Sequence, residues 1–346
     1  MTTGKRSVVL VLSGGNALGA YQAGGYQALH DRNVRPDWVI GASTGAINGA
    51  IICGNPEEER LARLAEYWGL GAVPSGPVRA PWWNDIGEDL RRSVAVSTTM
   101  MIGQPNVFAP RPQPSTFWEP IGGVGGPSLY DTGPLGASLD RLADFDRLNT
   151  GIPRYSATAV DLETGEVVTF DTSKHAVGAE HVRASGALLP AFPPVEVDGR
   201  LLGDGGLAAN LPIDTLLAEP PEGTTLCIAL DLLPLRARRP RTLGEAASRM
   251  QDLMFASQSR RSLAAWQALY DQRPKDVTTA ITLLHLSYDR QDAEVAGKAF
   301  DFSPKSVRER WDAGYRDVTA ALASVDDGSI AIGQPGLLVW RPSTDR

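Results

Sequence analysis

Along the chain, short aliphatic runs alternate with stretches of helical periodicity. Ser7 to Leu12 is a six-residue apolar run of strand length, and Val34 to Gly41 is a second. Tyr21 to Arg32 and Thr44 to Gly54 each read as a helix following one of these strands. Asn55-Pro56-Glu57-Glu58-Glu59 restarts a helix, with a cap residue, a proline at the first position and acids in the first turn, running to about Trp68. Residues 69 to 130 lose this regularity: Gly and Pro are dense, with Trp82, Trp83, Met100, Met101, Phe108, Phe117 and Trp118 among them. An irregular segment of that length in a compact domain is usually functional, and we read it as a cap or lid over an apolar site.

The pattern then regularises. A turn and helix are expected over Asp131–Leu148, and a hairpin-like pair of strands at 153–160 and 167–170. A short helix over 181–190 is stopped by proline, Arg200–Leu202 leads into a Gly-rich turn, and Thr225–Leu230 is a core strand. Leu243, Ala247, Met250, Met254 and Ser257 share one face of a long helix. Thr279–Leu286 is a last strand, and Ser303-Pro304 opens a terminal helix with Val307, Trp311, Tyr315, Val318 and Leu322 on one stripe. Strands alternating with helices argue for one α/β domain with a layered sheet. No internal repeat or clean linker interrupts the chain.

Composition narrows the class. The 346 residues are 42% hydrophobic and 21% charged, with a net charge of −7, which argues against a nucleic-acid-coating role. The one dense basic run, Leu235-Arg236-Ala237-Arg238-Arg239-Pro240-Arg241, reads as a solvated loop or as a contact for phosphate or anionic lipid. Cys53 and Cys227 both lie in apolar contexts, as buried small hydrophobes in a reducing compartment, with neither a disulfide framework nor a metal site. The apolar run Val8–Leu12 is too short for a signal peptide, and no stretch approaches the ~20 apolar residues that span a bilayer. The expectation is a cytoplasmic protein whose membrane contact, where it has one, is peripheral.

The chemistry concentrates at turns. Gly41-Ala42-Ser43-Thr44-Gly45 is a GxSxG pattern between a strand and a helix, which presents a serine hydroxyl on a strained corner. The elbow glycines Gly41 and Gly45 leave room beside the serine, and the helix dipole points at Ser43. The bland alternative is a Gly-rich turn with an N-cap serine. Ser13-Gly14-Gly15-Asn16-Ala17-Leu18-Gly19 follows the first strand and gathers backbone N–H groups around one point. A dinucleotide cradle wants GxGxxG and is broken by Asn16; an oxyanion hole needs only the donors, and a plain tight turn needs neither.

A serine needs a base. The four histidines, His30, His175, His181 and His285, carry no local signature. Asp204 lies between Gly203 and the Gly205-Gly206 pair, where backbone can approach closely and a carboxylate can project into a cleft; a turn aspartate is the plain alternative.

Taken in order, the glycine turn, GxSxG and Asp204-Gly205-Gly206-Leu207-Ala208-Ala209-Asn210-Leu211-Pro212 resemble the patatin-like phospholipase family. Ala184-Ser185-Gly186-Ala187-Leu188-Leu189-Pro190 is similar to the small-residue block that precedes the last motif. The resemblance covers residues 7–215 as a catalytic core, with 69–130 as its cap or lid insertion. Residues 216–346 are then the remaining core strands and a C-terminal helical extension of the same domain, similar to one found in a bacterial subgroup.

It implies a three-layer α/β/α fold with a mostly parallel central sheet and a Ser–Asp dyad without histidine. Ser43 would be the nucleophile and Asp204 the base, with Gly14, Gly15, Asn16 and Ala17 on the oxyanion turn and Gly205 and Gly206 in the DGG turn. The implied reaction is hydrolysis of a lipid or fatty-acyl ester through an acyl-enzyme, with no cofactor, no metal and no nucleic acid. Two departures bear on substrate: Asn16 stands where many members have a third glycine, and Leu18 where many have a basic residue. The lost cation removes one attraction for a phosphate or anionic product, which argues against a strict phospholipid preference and keeps general acyl-ester hydrolysis open beside phospholipase A, lysophospholipase and carboxylesterase activity. The alternatives are a silent lipid-binding protein, an acyltransferase and, less well matched, a nucleotide binder.

Overall fold

The computed structural model describes residues 6–72, 85–111, 128–272 and 279–342. Trp82, Trp83, Phe117 and Trp118 of the expected lid lie outside the described residues. In chain order the strands are β1 (Ser7–Leu12), β2 (Trp38–Ala42), β3 (Ala109–Pro110), β4 (Tyr130–Asp131), β5 (Arg154–Asp161), β6 (Val167–Asp171), β7 (Val195–Val197), β8 (Arg200–Asp204), β9 (Thr224–Asp231), β10 (Ala280–Ser287) and β11 (Gly336–Trp340). The helices are α1 (Ala20–Asp31), α2 (Thr44–Cys53), α3 (Glu57–Tyr67), α4 (Asp85–Ile102), α5 (Gly133–Leu142), α6 (Phe145–Leu148), α7 (Ala179–Ser185), α8 (Gly206–Ala209), α9 (Ile213–Ala218), α10 (Leu243–Asp271) and α11 (Pro304–Asp326).

One nine-stranded sheet runs β11-β10-β9-β1-β2-β5-β8-β7, with β6 also on β5. The strands from β11 to β5 are parallel, and β6, β8 and β7 add antiparallel pairs at the far side. Parallel strands flanked by helices are buried on both faces, which is why β1, β9 and β10 read as largely apolar runs without alternation. Alternate residues of β1 divide between two cores. Leu10 and Leu12 join the side packed by α1, α2 and α11, while Val9 and Val11 join the side packed by α9 and Leu263 of α10. This is the three-layer α/β/α arrangement.

The register on β5 positions the site. β2 pairs with residues 154–158 of β5 and ends with Ala42 opposite Thr158; β8 pairs with residues 159–161 and ends with Asp204 opposite Ala159. β6 pairs with residues 156–160, overlapping both, so it occupies the opposite edge of β5. β2 and β8 therefore approach end to end along one edge of β5, and the chain leaves both strands at adjacent β5 positions. Ligand sites of open α/β sheets lie at such strand ends.

Several expectations need correction. Asp85–Ile102, read as irregular, is an 18-residue helix that buries Arg92, Val96 and Thr99 at helical spacing. The α3 cap is Pro56; Asn55 instead donates to the carbonyls of Ile51 and Leu142, tying α2 to α5. β10 is followed by a further strand, β11, which the sequence reading did not include. The shared face of α10 is turned to solvent: Leu243, Met250 and Met254 are exposed, and the helix buries Asp252, Phe255, Ala256, Ser259, Leu263 and Tyr270 instead.

Candidate active site

Ser43 sits between β2 and α2 with φ 53° and ψ −122°, a sparsely populated conformation for a residue with a side chain. Sterics explain its neighbours. A Cβ on Gly41 would lie 2.4 Å from the Ala46 nitrogen, and one on Gly45 would lie 2.2 Å from the Leu12 carbonyl oxygen. Both glycines are required by the closeness of α2 to β1 and β2.

Asp204 closes β8 and is 2% exposed. Its Oδ1 accepts the Gly206 N–H at 2.7 Å. Burial raises its carboxyl to about 6, against the opposing effect of hydrogen bonds from the Ser43 side chain and the Gly206 amide. Gly205 allows this turn, because a Cβ there would stand 2.2 Å from the Thr158 carbonyl oxygen.

Two residues without a role in the sequence reading hold the parts together. The Ser185 hydroxyl accepts the Ser43 N–H at 3.0 Å, while the Ser185 carbonyl accepts the Gly205 N–H at 3.2 Å. One buried serine thus bridges the elbow and the DGG turn. Asn210 does the same for the glycine turn: its carbonyl accepts the Gly14 N–H at 3.0 Å, and its side-chain amide donates to the Gly14 carbonyl at 3.2 Å. The only signal for either was membership of a small-residue block and of the segment trailing Asp204.

The four residues of the expected oxyanion turn separate. The Gly14 amide is engaged by Asn210, and Ala17 is fully buried and does not line the pocket. Gly15 and Asn16 are partly exposed and line it, and among the described residues neither amide has a backbone acceptor. Asn16 holds φ 50°, a left-handed conformation that asparagine tolerates well. Leu18 is fully buried away from the pocket, so its departure from a basic residue leaves no opening there.

Ser43, Asp204, Gly15 and Asn16 share one narrow pocket of about 60 Å³. Its walls are apolar, with Ile47, Val107, Leu135, Leu188, Phe192 and Phe300 among them. A larger depression of about 410 Å³, lined by Arg154, Asp171, Lys174 and Asp214, contains neither Ser43 nor Asp204. No histidine lines the first pocket among the described residues. His181 Nδ1 accepts the Gly178 N–H at 2.9 Å, and His285 Nε2 lies 3.3 Å from Asp231 in β9. Cys53 and Cys227 are buried free thiols, and no group of metal-ligating side chains occurs among the described residues.

The C-terminal part reaches the site through Arg310. Its five N–H groups are all engaged: Nε and Nη2 on the Glu294 carboxylate at 2.8 Å each, Nη2 also on the Lys298 carbonyl, and Nη1 on the carbonyls of Asp301 and Ala17. The last contact, at 3.1 Å, ties α11 to the glycine turn, and the Lys298 and Asp301 contacts fix the segment bearing Phe300.

Comparison with known proteins places the chain in a family. Residues 10–217 match the family model described as Patatin-like phospholipase, and residues 238–327 match one described as Patatin phospholipase. The chain belongs to the patatin-like phospholipase family. It is 26% identical over 247 residues to an uncharacterized NTE family protein of Mycobacterium tuberculosis, covering 70% of this chain and 55% of that one. A second such protein of the same organism is 27% identical over 229 residues, covering 65% of this chain and 30% of its own. The chain thus spans about half the length or less of these relatives. Among solved structures, VipD from Legionella pneumophila aligns with 93% of this chain and 67% of its own at 15% identity and a TM-score of 0.45. ExoU from Pseudomonas aeruginosa, solved in complex with SpcU, aligns with 92% of this chain and 52% of its own at 14% identity and a TM-score of 0.33.

Proposed function

We propose that this chain hydrolyses carboxylic esters of lipids through an acyl-enzyme on Ser43. The observation that supports the reading is the hydrogen bond between the Ser43 side chain and the buried Asp204 carboxyl, both of which line an apolar pocket. Asp204 takes the hydroxyl proton as Ser43 Oγ attacks the ester carbonyl, and returns it to the departing alcohol. A water activated by the same carboxylate then cleaves the acyl-serine. The Gly15 and Asn16 amides are the donors for the tetrahedral oxyanion, and the N-terminus of α2 adds its dipole.

The apolar walls suit a fatty-acyl chain, and the narrow volume means that a long chain displaces side chains on entry. Residues 85–111 contribute to the lining through Val107, and this is the part we assign to the cap. No lysine or arginine lines the pocket among the described residues to attract phosphate, and the preference falls on acyl esters generally over strictly anionic phospholipids. No helix among the described residues is long and apolar enough to cross a membrane, and the proposed membrane contact is peripheral.

The test is ester hydrolysis by the purified chain with matched neutral and phospholipid acyl esters. Turnover that disappears in Ser43→Ala supports the reading, and turnover retained by that variant refutes it. A large preference for the anionic phospholipid would overturn the substrate assignment alone.

A further inference from the structure

The outer face of α10 is apolar where a soluble helix would carry charge. In its first three turns the exposed positions are Leu243, Gly244, Ala246, Ala247, Met250, Leu253 and Met254, and none is charged. Leu243 is 87% exposed, Met250 60%, Met254 56% and Leu253 44%. From Leu243 to Met254 the stripe is about 16 Å long at about 1.5 Å per residue. Leu207 of α8, also exposed, adjoins it: the Leu207 carbonyl accepts from Gln258, one turn beyond Met254. Monomeric proteins leave contiguous patches of this kind at sites of interaction.

Two features select the partner. The stripe is bracketed by arginines. Arg238, Arg239 and Arg241 precede it in an exposed loop, and Arg260 and Arg261 follow it on exposed positions of α10. Arg239, Arg260 and Arg261 form no ion pair with any described residue, and the Arg238–Asp292 pair is exposed on both sides, where solvent screening leaves it weak. The same helix reaches the candidate active site, since Gln251 and Phe255 line the pocket from its inner side. Apolar side chains between cationic ones, on a helix that lines the apolar Ser43 pocket from its other face, match the interface of a bilayer. Exposed apolar residues also occur on α4, at Leu90, Val94, Met100, Met101 and Ile102, but no lysine or arginine is exposed on that helix.

We infer that the Leu243–Met254 face of α10 is the surface on which this chain settles on an anionic lipid bilayer, bringing the helix that lines the Ser43 pocket to the lipid. The inference takes from the proposed function only the nature of the substrate, and binding is measurable without turnover.

The experiment is flotation of the full chain carrying Ser43→Ala with vesicles of equal parts phosphatidylcholine and phosphatidylserine, and with phosphatidylcholine alone. The expected result is flotation favouring the anionic vesicles. Adding Met250→Glu with Met254→Glu is expected to weaken it about tenfold or more, and Arg260→Glu with Arg261→Glu to remove the anionic preference. Met101→Glu on α4 is expected to leave flotation unchanged. In the Ser43 background, Met250→Glu with Met254→Glu keeps the melting temperature and the hydrolysis of a water-soluble short-chain ester. Flotation that is absent, or untouched by the α10 changes, or lost equally with Met101→Glu, overturns the inference. So does a dimer that dissociates with the α10 changes while vesicles bind nothing, which assigns the face to a second copy. Flotation as expected with no hydrolysis of any ester would leave the docking surface standing and reject the proposed function.

Discussion

Burial lifts the Asp204 carboxyl to about 6, above an ordinary value of 3.8, so the folded protein binds its proton more tightly than the unfolded chain does. Stability from this group is greatest below pH ~4, declines as pH rises from ~4 through ~6, and stays lower above that. At pH 7 the buried carboxylate is therefore a destabilising group, and the proposed mechanism uses it as the base. Asp204→Asn is expected to abolish turnover and to stabilise the fold by roughly 1–3 kcal/mol at pH 7, with the gain vanishing below pH ~4. Thermal melts across pH measure it. In the native chain kcat/KM is expected to rise with pH through about 6 and then level, as the base must be ionised to accept the Ser43 proton. Ser185 is the second residue with a definite expectation. Ser185→Ala removes the acceptor of the Ser43 amide and should cost about 1–3 kcal/mol in denaturant titrations. Ser43 and Asp204 were legible from sequence because the glycines around them are dictated by backbone clashes, which leave a pattern. Ser185 was not, since a hydroxyl that accepts from a backbone amide across 142 residues leaves no local trace.

At the scale of elements, α1 and α11 pack closely enough for backbone to meet backbone. A Cβ on Gly24 would lie 1.8 Å from the Trp311 carbonyl oxygen, and one on Gly314 would lie 1.8 Å from that of Tyr21. Gly314→Ala is expected to destabilise by about 1–3 kcal/mol or more, despite the higher helix propensity of alanine; equilibrium unfolding reads it. The α11 stripe was readable because Val307, Trp311, Val318 and Leu322 are all buried at helical spacing. The α10 pattern pointed to the wrong face for a physical reason. Its buried side includes Asp252 and Ser259, and Asp252 is paired inside with Lys298 at 2.8–2.9 Å. Hydropathy counts that side as polar and assigns the core to the methionines. The Asp85–Ile102 helix was missed similarly, because its most buried position includes Arg92, whose guanidinium is held by Glu294 and Glu309.

For the whole molecule, buried charge joins the C-terminal third to the rest, Glu294 to Arg92 of α4 and Arg310 to the Ala17 carbonyl. Burial would raise the Glu294 carboxyl, but Arg310 and then Arg92 outweigh it and hold it at about 2. A depressed carboxyl contributes stability above its unfolded value and loses it as pH falls from ~4.5 through about 2. Arg310→Ala leaves the buried Glu294 without its main partner and frees the Ala17 carbonyl; we expect a loss of about 3–5 kcal/mol, read by chemical unfolding. The layered class was legible because several of its buried strands, β1 above all, are largely apolar runs of strand length. The closing strand β11 was not, as its residues are only partly buried at the sheet edge. Nor was the end-to-end meeting of β2 and β8 on β5, which depends on register.

That meeting is what the account rests on, and covalent capture tests it most directly. The chain is treated with a fluorophosphonate and the labelled peptide located by mass spectrometry, for the native protein, Asp204→Asn and each of the four histidine variants. The account expects a single label on Ser43, greatly slowed by Asp204→Asn and indifferent to every histidine change. A label elsewhere, or on Ser43 at an undiminished rate without Asp204, or lost on changing one histidine in a folded protein, would contradict it.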